Sequence, residues 1–339
     1  MLEKLILCSI ISSRIDKIVD EKLNRTVRPT LNLFIRKPLG YGFTTVMTYL
    51  AEKGYVNYIS EFTAPGLVGT LKNGRVIPGA LADSGYKLTA IDEIRLLDQK
   101  AKKVILELTE MGRATRVLQG YVEKRIEKKI TGGRLIADVG KMVIEVHTAF
   151  VFGTASDEIM QDPDVKMLFS RCFCINVSMD AKEAVMLKSK GRDIKLNTNI
   201  IPDEPVDEVI LPEDMNDILL EKLTENALVD LSEGGYFTRA HDDLIRLSAI
   251  RAVACKRTEI TKKDVEFALK LYPLHQMGYL GVQLNETALK VYEKCEGKTI
   301  REIAKEIGIS EQWTRKMIKL LIEMRLVAKI KDRYFKTMQ

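Results

Sequence analysis

The chain has 339 residues, 46% apolar, 29% charged and only 6% aromatic, a globular balance with room for two domains, most simply a large α/β one and a small one. No apolar run reaches the roughly 18 residues of a membrane span, and the opening MLEKLILCSIISSRID has no small-residue cleavage site, so neither a membrane nor a secreted protein is expected. Five cysteines, at 8, 172, 174, 255 and 295, form no C-x-x-C, which argues against a disulfide framework or a zinc site and for a reducing cytoplasm.

The first predicted element is an amphipathic helix over residues 2–23, with a linker to residue 30. LNLFIR (31–36) is a short apolar strand, and the Gly-rich turn KPLGYGFTT (37–45) opens a helix through Ala51. YVNYISEF (55–62) is a second strand, and a Gly/Pro-punctuated segment runs on to Gly85. YKLTAIDE (86–93) is a buried strand ending in two carboxylates; residues 97–113 have helical spacing. A basic stretch, RATRVLQGYVEKRIEKKITGGR (113–134), precedes an apolar strand within MVIEVHTAFVFGTAS (142–156). LFSRCFCINVSMD (168–180) holds a loop and a strand. Strands alternating with helices predict an α/β fold with a parallel sheet and crossovers. From Pro212 the pattern is helical, near 213–232, 237–254 and 260–271, with Thr261 as N-cap, Asp264 three residues on and Pro273 as the end. A linker over 273–284 leads to a basic module: residues 285–339 hold 13 Lys/Arg against 8 Asp/Glu, most of the net charge of +6. The expected units are thus 1–30, 31–211, 212–275 and 285–339.

Strand, Gly-rich loop and helix in that order aim backbone N–H groups at phosphates. The P-loop pattern is G-x-x-x-x-G-K-[ST]. Here residues 37–44 keep the second glycine, Gly42, and the magnesium hydroxyl, Thr44. Lys37 stands at the first glycine, and Phe43 at the lysine that reaches the β- and γ-phosphates, a charge that a phenyl ring cannot supply. Pro38 stiffens the chain beside Lys37, which argues against Lys37 taking over that role. About fifty residues later Asp92-Glu93 has the Walker B form, the first carboxylate for magnesium and the second to polarise the attacking water. Bound ATP would meet Gly40, Gly42, Phe43, Thr44 and Thr45, with Mg²⁺ on Thr44 and Asp92; Phe43 puts both cofactors in question.

Together these stretches resemble the minichromosome-maintenance (MCM) branch of the AAA+ ATPases. GRVIPGALADSGYKLTAIDE (74–93) resembles the segment leading into that family's Walker B. LFSRCFCINVSMD resembles its arginine-finger segment, with Arg171 at the finger and Cys172 in place of an aromatic. FTRAHDDLIRLSAIRA (237–252) resembles its sensor-two helix, with Arg239 at the sensor arginine and Asp242 at an acidic position. The resemblance runs from about residue 31 to the end. It implies an AAA+ P-loop core over 31–211, a helical lid over 212–275 and a winged helix-turn-helix over 285–339, the order of an archaeal member or mobile element. The family's N-terminal DNA-binding and collar domain, with its zinc ligands, has no counterpart before Leu31. Thr154 or Ser156 stands where the sensor-one asparagine is expected.

In that family the active site lies between subunits, so the resemblance implies that Arg171 and Arg239 act in trans on a neighbour's nucleotide. A chain that keeps the donated arginines and has lost its own lysine is expected to hydrolyse ATP poorly, within a homo- or hetero-oligomeric ring serving DNA replication, cytoplasmic and nucleoid-associated. An active ATP-dependent helicase, and a winged-helix regulator with a relic ATPase domain, are the alternatives. For DNA, LVGTLKNGRVIPG (67–79) fits a channel hairpin whose turn carries Lys72 and Arg75. The basic run with Arg116, Lys124, Arg125, Lys128, Lys129 and Arg134 lies where a second hairpin is expected, a solvated charged helix being the other reading of VEKRIEKKI. In the tail, Gln312, Arg315, Lys316 and Lys319 would project from the second helix and Arg333 from the wing, over a core of Ile303, Ala304, Ile307, Ile309, Ile318 and Leu321. Trp313 is expected in that core beside Met317, an exposed wedge being the alternative.

Overall fold

Apolar residues that alternate with strand period line both faces of one parallel sheet, and those that recur with helix period cover it. The computed structural model describes residues 2–38, 41–59, 63–118, 125–155, 162–177, 196–225, 236–279, 286–323 and 327–336. The first helix, α1 (Leu2–Ser12), is apolar on all sides and buried along almost its whole length. It ends well short of residue 23: Ile15–Asp20 is strand β1 and Arg25–Val27 is β2, paired antiparallel. Spacing favoured a helix over Ile15 and Ile18. What decides for a strand is a partner at 206–211, which aligns Ile15 with Val206 and Ile18 with Val209.

The following elements are β3 (Leu33–Arg36), α2 (Phe43–Glu52), β4 (Val56–Tyr58), α3 (Ala64–Val68), the hairpin β5 (Gly69–Lys72) and β6 (Arg75–Pro78), β7 (Leu88–Ile91) and α4 (Gln99–Met111). Then come β8 (Arg113–Val117), β9 (Ile126–Ile130), β10 (Gly133–Asp138), β11 (Lys141–Val146), β12 (Ala149–Thr154), α5 (Pro163–Phe169), β13 (Phe173–Asn176) and β14 (Val206–Leu211). The central sheet has the order β13-β3-β12-β7-β4 with every pair parallel, as the alternating pattern predicts. Leu33, Ile35, Leu88, Ala90, Val151 and Phe173 face one core, while Phe34, Ile91, Phe150, Phe152 and Cys174 face the other. Strands buried on both faces read as the continuous apolar runs seen in the sequence. Connections from β3 and β12 leave for opposite edges, so the crevice at their C-terminal ends is where sheets of this kind take ligands.

The basic stretch is not helical in its described part. β8 and β9 are the outer strands of an antiparallel sheet of order β8-β11-β10-β9, and Lys129, Arg134, Glu145 and Arg113 stand in one cross-strand row. Glu145, directly across from Arg134 on one side and Arg113 on the other, supports this row, whereas Lys129 opposite Arg134 is a like-charge pair.

Three helices follow: α6 (Glu213–Glu225), α7 (Tyr236–Ala254) and α8 (Lys262–Tyr279). Residues 226–232 of the first expected helix lie outside the described residues. Pro273 does not end the third. A proline costs a helix about 3 kcal/mol, and α8 lies against both α7 and β13, whose packing offsets that loss. At its start the Asp264 carboxylate accepts from the Thr261 N–H (2.9 Å) and hydroxyl (2.7 Å), the reach-back expected of that pair. α1 packs beneath α7 and β12, so residues 1–30 belong to the main core and are no separate linker.

The tail consists of α9 (Glu286–Lys294), α10 (Ile300–Ile307), α11 (Glu311–Glu323) and the hairpin β15 (Val327–Ile330) and β16 (Arg333–Lys336). α9 lies within the expected 285–339 unit but was not assigned as a helix; it buries Ala288, Val291 and Tyr292. Ile303, Ala304, Ile318 and Leu321 are buried as expected, with Ile307 and Ile309 packed at the edge. Trp313 is not in this core; it is 41% exposed. Thr314, Met317, Ile318 and Leu321 already take the inward face at three- and four-residue spacing, which turns position 313 outward, with the Lys316 ammonium 4.9 Å over its ring. Among the described residues no helix is long and apolar enough to cross a membrane.

Candidate functional site

Two clusters lie at opposite ends of the central sheet. The first follows the C-terminal ends of β3, β7 and β12. Gly42 enters α2 in the left-handed region (φ 79°) with no side chain capping the helix, so the first N–H groups of α2 face the loop. Gly40 lies outside the described residues. Thr44 and Thr45 are exposed on the first turn of α2, whereas Phe43, only 2% exposed, is packed into the core with Val46, Met47 and Leu50. The side chain at the position where a P-loop would carry lysine thus faces the core and not the loop.

Thr44 donates its hydroxyl to Asp92 Oδ2, to which the Tyr58 phenol also donates at 3.3 Å. Burial, and then the Asp92 charge, push the Tyr58 pKa up and keep it a donor. Lys37 Nζ lies 3.0 Å from Asp92 Oδ1 and 5.2 Å from the centre of the Phe43 ring. Lys37 is thus turned onto the Asp92 carboxylate, with Pro38 beside it. The Lys37 N–H pairs with the Thr154 carbonyl (3.0 Å), which continues the β3–β12 ladder and aims the side chain inward along the sheet. Glu93 accepts from the hydroxyl of Thr154, one of the two residues named for sensor one, at 3.2 Å; the other, Ser156, lies outside the described residues. Asp92 Oδ2 thus accepts from two hydroxyls, while the buried Oδ1 accepts no hydrogen bond and has only the Lys37 ammonium beside it, a cation where magnesium would have to sit, so this donor set as arranged does not fit magnesium.

The second cluster precedes the N-terminal ends of β3 and β13. Asp162 and Pro163 start α5, whose end delivers Ser170 and Arg171. Arg239, near the start of α7, donates to the Ser170 carbonyl and hydroxyl, both at 2.7 Å. Arg171 pairs with Glu110 at the end of α4, yet its Nε and Nη1 are buried with no protein acceptor. Burial lowers the Arg171 pKa; Glu110 opposes this and Arg239 adds to it. Together with Arg28, Arg246, Asp242 and Asp243 these residues line a pocket of about 220 Å³. Arg28 and Arg246 were not foreseen: Arg28 stands in no motif, and Arg246, though within 237–252, was given no role there. Burial, then Arg246, bring the Arg28 pKa down to about 10. Asp242 is held by Arg25 at 2.7 Å, which itself contacts the buried Asp20 at 3.2 Å. Since all five strands are parallel and rise about 3.3 Å per residue, a strand length separates this pocket from the phosphate loop.

The residues expected on DNA are spread over three surfaces. Lys72 and Arg75 flank an Asn73-Gly74 turn with φ of 51° and 70°, the left-handed pair that a two-residue hairpin requires, and both are exposed. Lys128 and Lys129 are exposed on β9 and point to opposite faces of that edge strand, so they do not act as one tip. Lys124 lies outside the described residues. Arg116 donates to the Gly69 carbonyl, Arg134 is held by Glu145 at 2.6 Å, and Arg125 lies 3.3 Å from Glu127, so these three have protein partners. On α11, Gln312, Arg315, Lys316 and Lys319 share the exposed side with Trp313. Arg333 is turned back onto the Gly297 carbonyl, with Glu302 at 3.9 Å, rather than outward from the hairpin tip. No protein-family model matches the chain, and no curated protein matches it.

Proposed function

We propose that the chain is an MCM-like AAA+ DNA-binding subunit of DNA replication, with a degenerate phosphate loop of its own. On this reading it donates Arg171 and Arg239 to the nucleotide of a neighbour in a homo- or hetero-oligomeric ring. One observation carries the reading. Residues 171 and 239, far apart in sequence, meet in a single polar pocket at the N-terminal ends of β3 and β13, a strand length from the chain's own loop and so out of reach of a ligand there. Phe43 buried in the core and Lys37 on Asp92 support weak hydrolysis at that loop. The tail, read as a winged helix, would lay the exposed side of α11 on phosphates, with Arg315, Lys316 and Lys319 as its cations.

ATP turnover by the purified chain, alone and with single-stranded DNA, tests this beside an Asp92→Ala/Glu93→Ala variant. Rates equal to that variant are expected. Turnover that disappears in the variant would instead favour an active helicase, for which the Thr154–Glu93 contact speaks. Tight, sequence-specific duplex binding by a strict monomer would favour the regulator with a relic ATPase domain.

A further inference from the structure

In a phosphate loop the threonine hydroxyl and the first carboxylate of the acidic pair face a divalent ion. Here they face each other. Thr44 donates directly to Asp92 Oδ2, and the opposite oxygen, Oδ1, lies 3.0 Å from Lys37 Nζ. The Lys37 side chain is only 11% exposed, so this is an enclosed ion pair and not a solvated one.

Its surroundings are shaped to hold it. The ammonium lies over the buried Phe43 ring, which gives it an attractive π face where the usual lysine would repel it. Gly153 on β12 lies against this pair: a Cβ there would meet the Asp92 carbonyl oxygen first, at 2.6 Å, and then Lys37 Cε at 2.9 Å and Asp92 Oδ1 at 3.2 Å. Positions 37, 43, 92 and 153 thus meet in one arrangement.

We propose that Lys37 is the resident cation of this loop: its ammonium takes the place of the divalent metal on Asp92, so the loop is closed by a protein side chain and takes up no metal ion. The proposal rests on reading residues 37–45 as a phosphate loop. It accounts for the coexistence of a lysine at the first glycine position with a phenylalanine at the lysine position. A lysine at 43 would bring a second cation to the same carboxylate, whereas a phenyl ring supports the first. The site that awaits a nucleotide is then the neighbour's.

Mn²⁺ uptake by the full chain, read from the free-ion electron paramagnetic resonance signal, tests the proposal without any nucleotide. The wild type is expected to leave the signal undiminished. Lys37→Met, or Lys37→Gln if the methionine variant does not fold, is expected to bind one equivalent, about tenfold or more tighter than the wild type, because Asp92, Glu93 and Thr44 then form an oxygen site without a resident charge. Adding Asp92→Asn should abolish that gain. Mn²⁺ binding by the wild type that Asp92→Asn removes would overturn the proposal, and so would folded Lys37 variants that gain no affinity. Either result is separable from the ATP turnover assay, which can report an active enzyme while the manganese signal stays unchanged.

Discussion

His147 is one of three histidines and sits between β11 and β12 with its ring 5.5 Å from Tyr86. Its Nε2 is buried without an acceptor; burial, then Arg28, lower its pKa from the ordinary 6.5 to about 4. The folded state therefore resists a proton that the unfolded chain takes up. Stability is fully present above pH 6.5 and declines as the pH falls from there towards 4. Between pH 7 and 5 this one residue should cost about 2 kcal/mol of unfolding free energy. Urea unfolding at the two pH values, with His147→Gln as a reference whose dependence is flatter, checks it. Legibility in the sequence was uneven among the site residues. Thr44, Asp92 and Glu93 could be named because a motif states their chemistry at fixed spacing. The seat of Lys37 on Asp92 was not legible, since Pro38 constrains φ and does not decide where a four-carbon side chain ends.

In α11 the same spacing rule that located the helix also decides which residues it hides. Met317 is 4% exposed and Trp313 is 41% exposed. Met317→Ala should cost about 2–5 kcal/mol, whereas Trp313→Ala should stay within about 0.5 kcal/mol, an order that a core tryptophan would reverse. Thermal unfolding of both variants measures the difference. If α11 meets phosphates, Trp313→Ala should also weaken DNA binding without unfolding the module. The helix starts at Thr299 and Ser310 are fixed locally: Thr299 and Glu302 form a reciprocal capping box, and Ser310 accepts from the Trp313 N–H at 3.2 Å. β8 to β11 were harder to read. Mixed charges at Arg113, Lys129, Arg134 and Glu145 suit a solvated helix equally well until the neighbouring strands are known.

Across the whole molecule, the start of the chain completes the core. Leu5, Ile6, Ile10, Ile15 and Ile18 are fully buried, and β1 is the central strand of the sheet β14-β1-β2. Removing residues 1–27 would expose β14 and the apolar faces of α7 and β12. The shortened chain is expected to be insoluble or to lose cooperative unfolding, which expression followed by calorimetry would show. A soluble, cooperatively folding product would mean that the remainder is a domain by itself. Strand alternation, helix spacing, glycine-loop position and the paired carboxylates could be read from residues near one another, because backbone geometry and capping act over a few positions. The pairing of Ile15 with Val206, the meeting of Arg171 with Arg239, and the seating of Lys37 on Asp92 join residues about 50 to 190 positions apart. Only the packed sheet brings such residues within reach, and the free energy of burying their shared surroundings, rather than any local preference, selects those contacts.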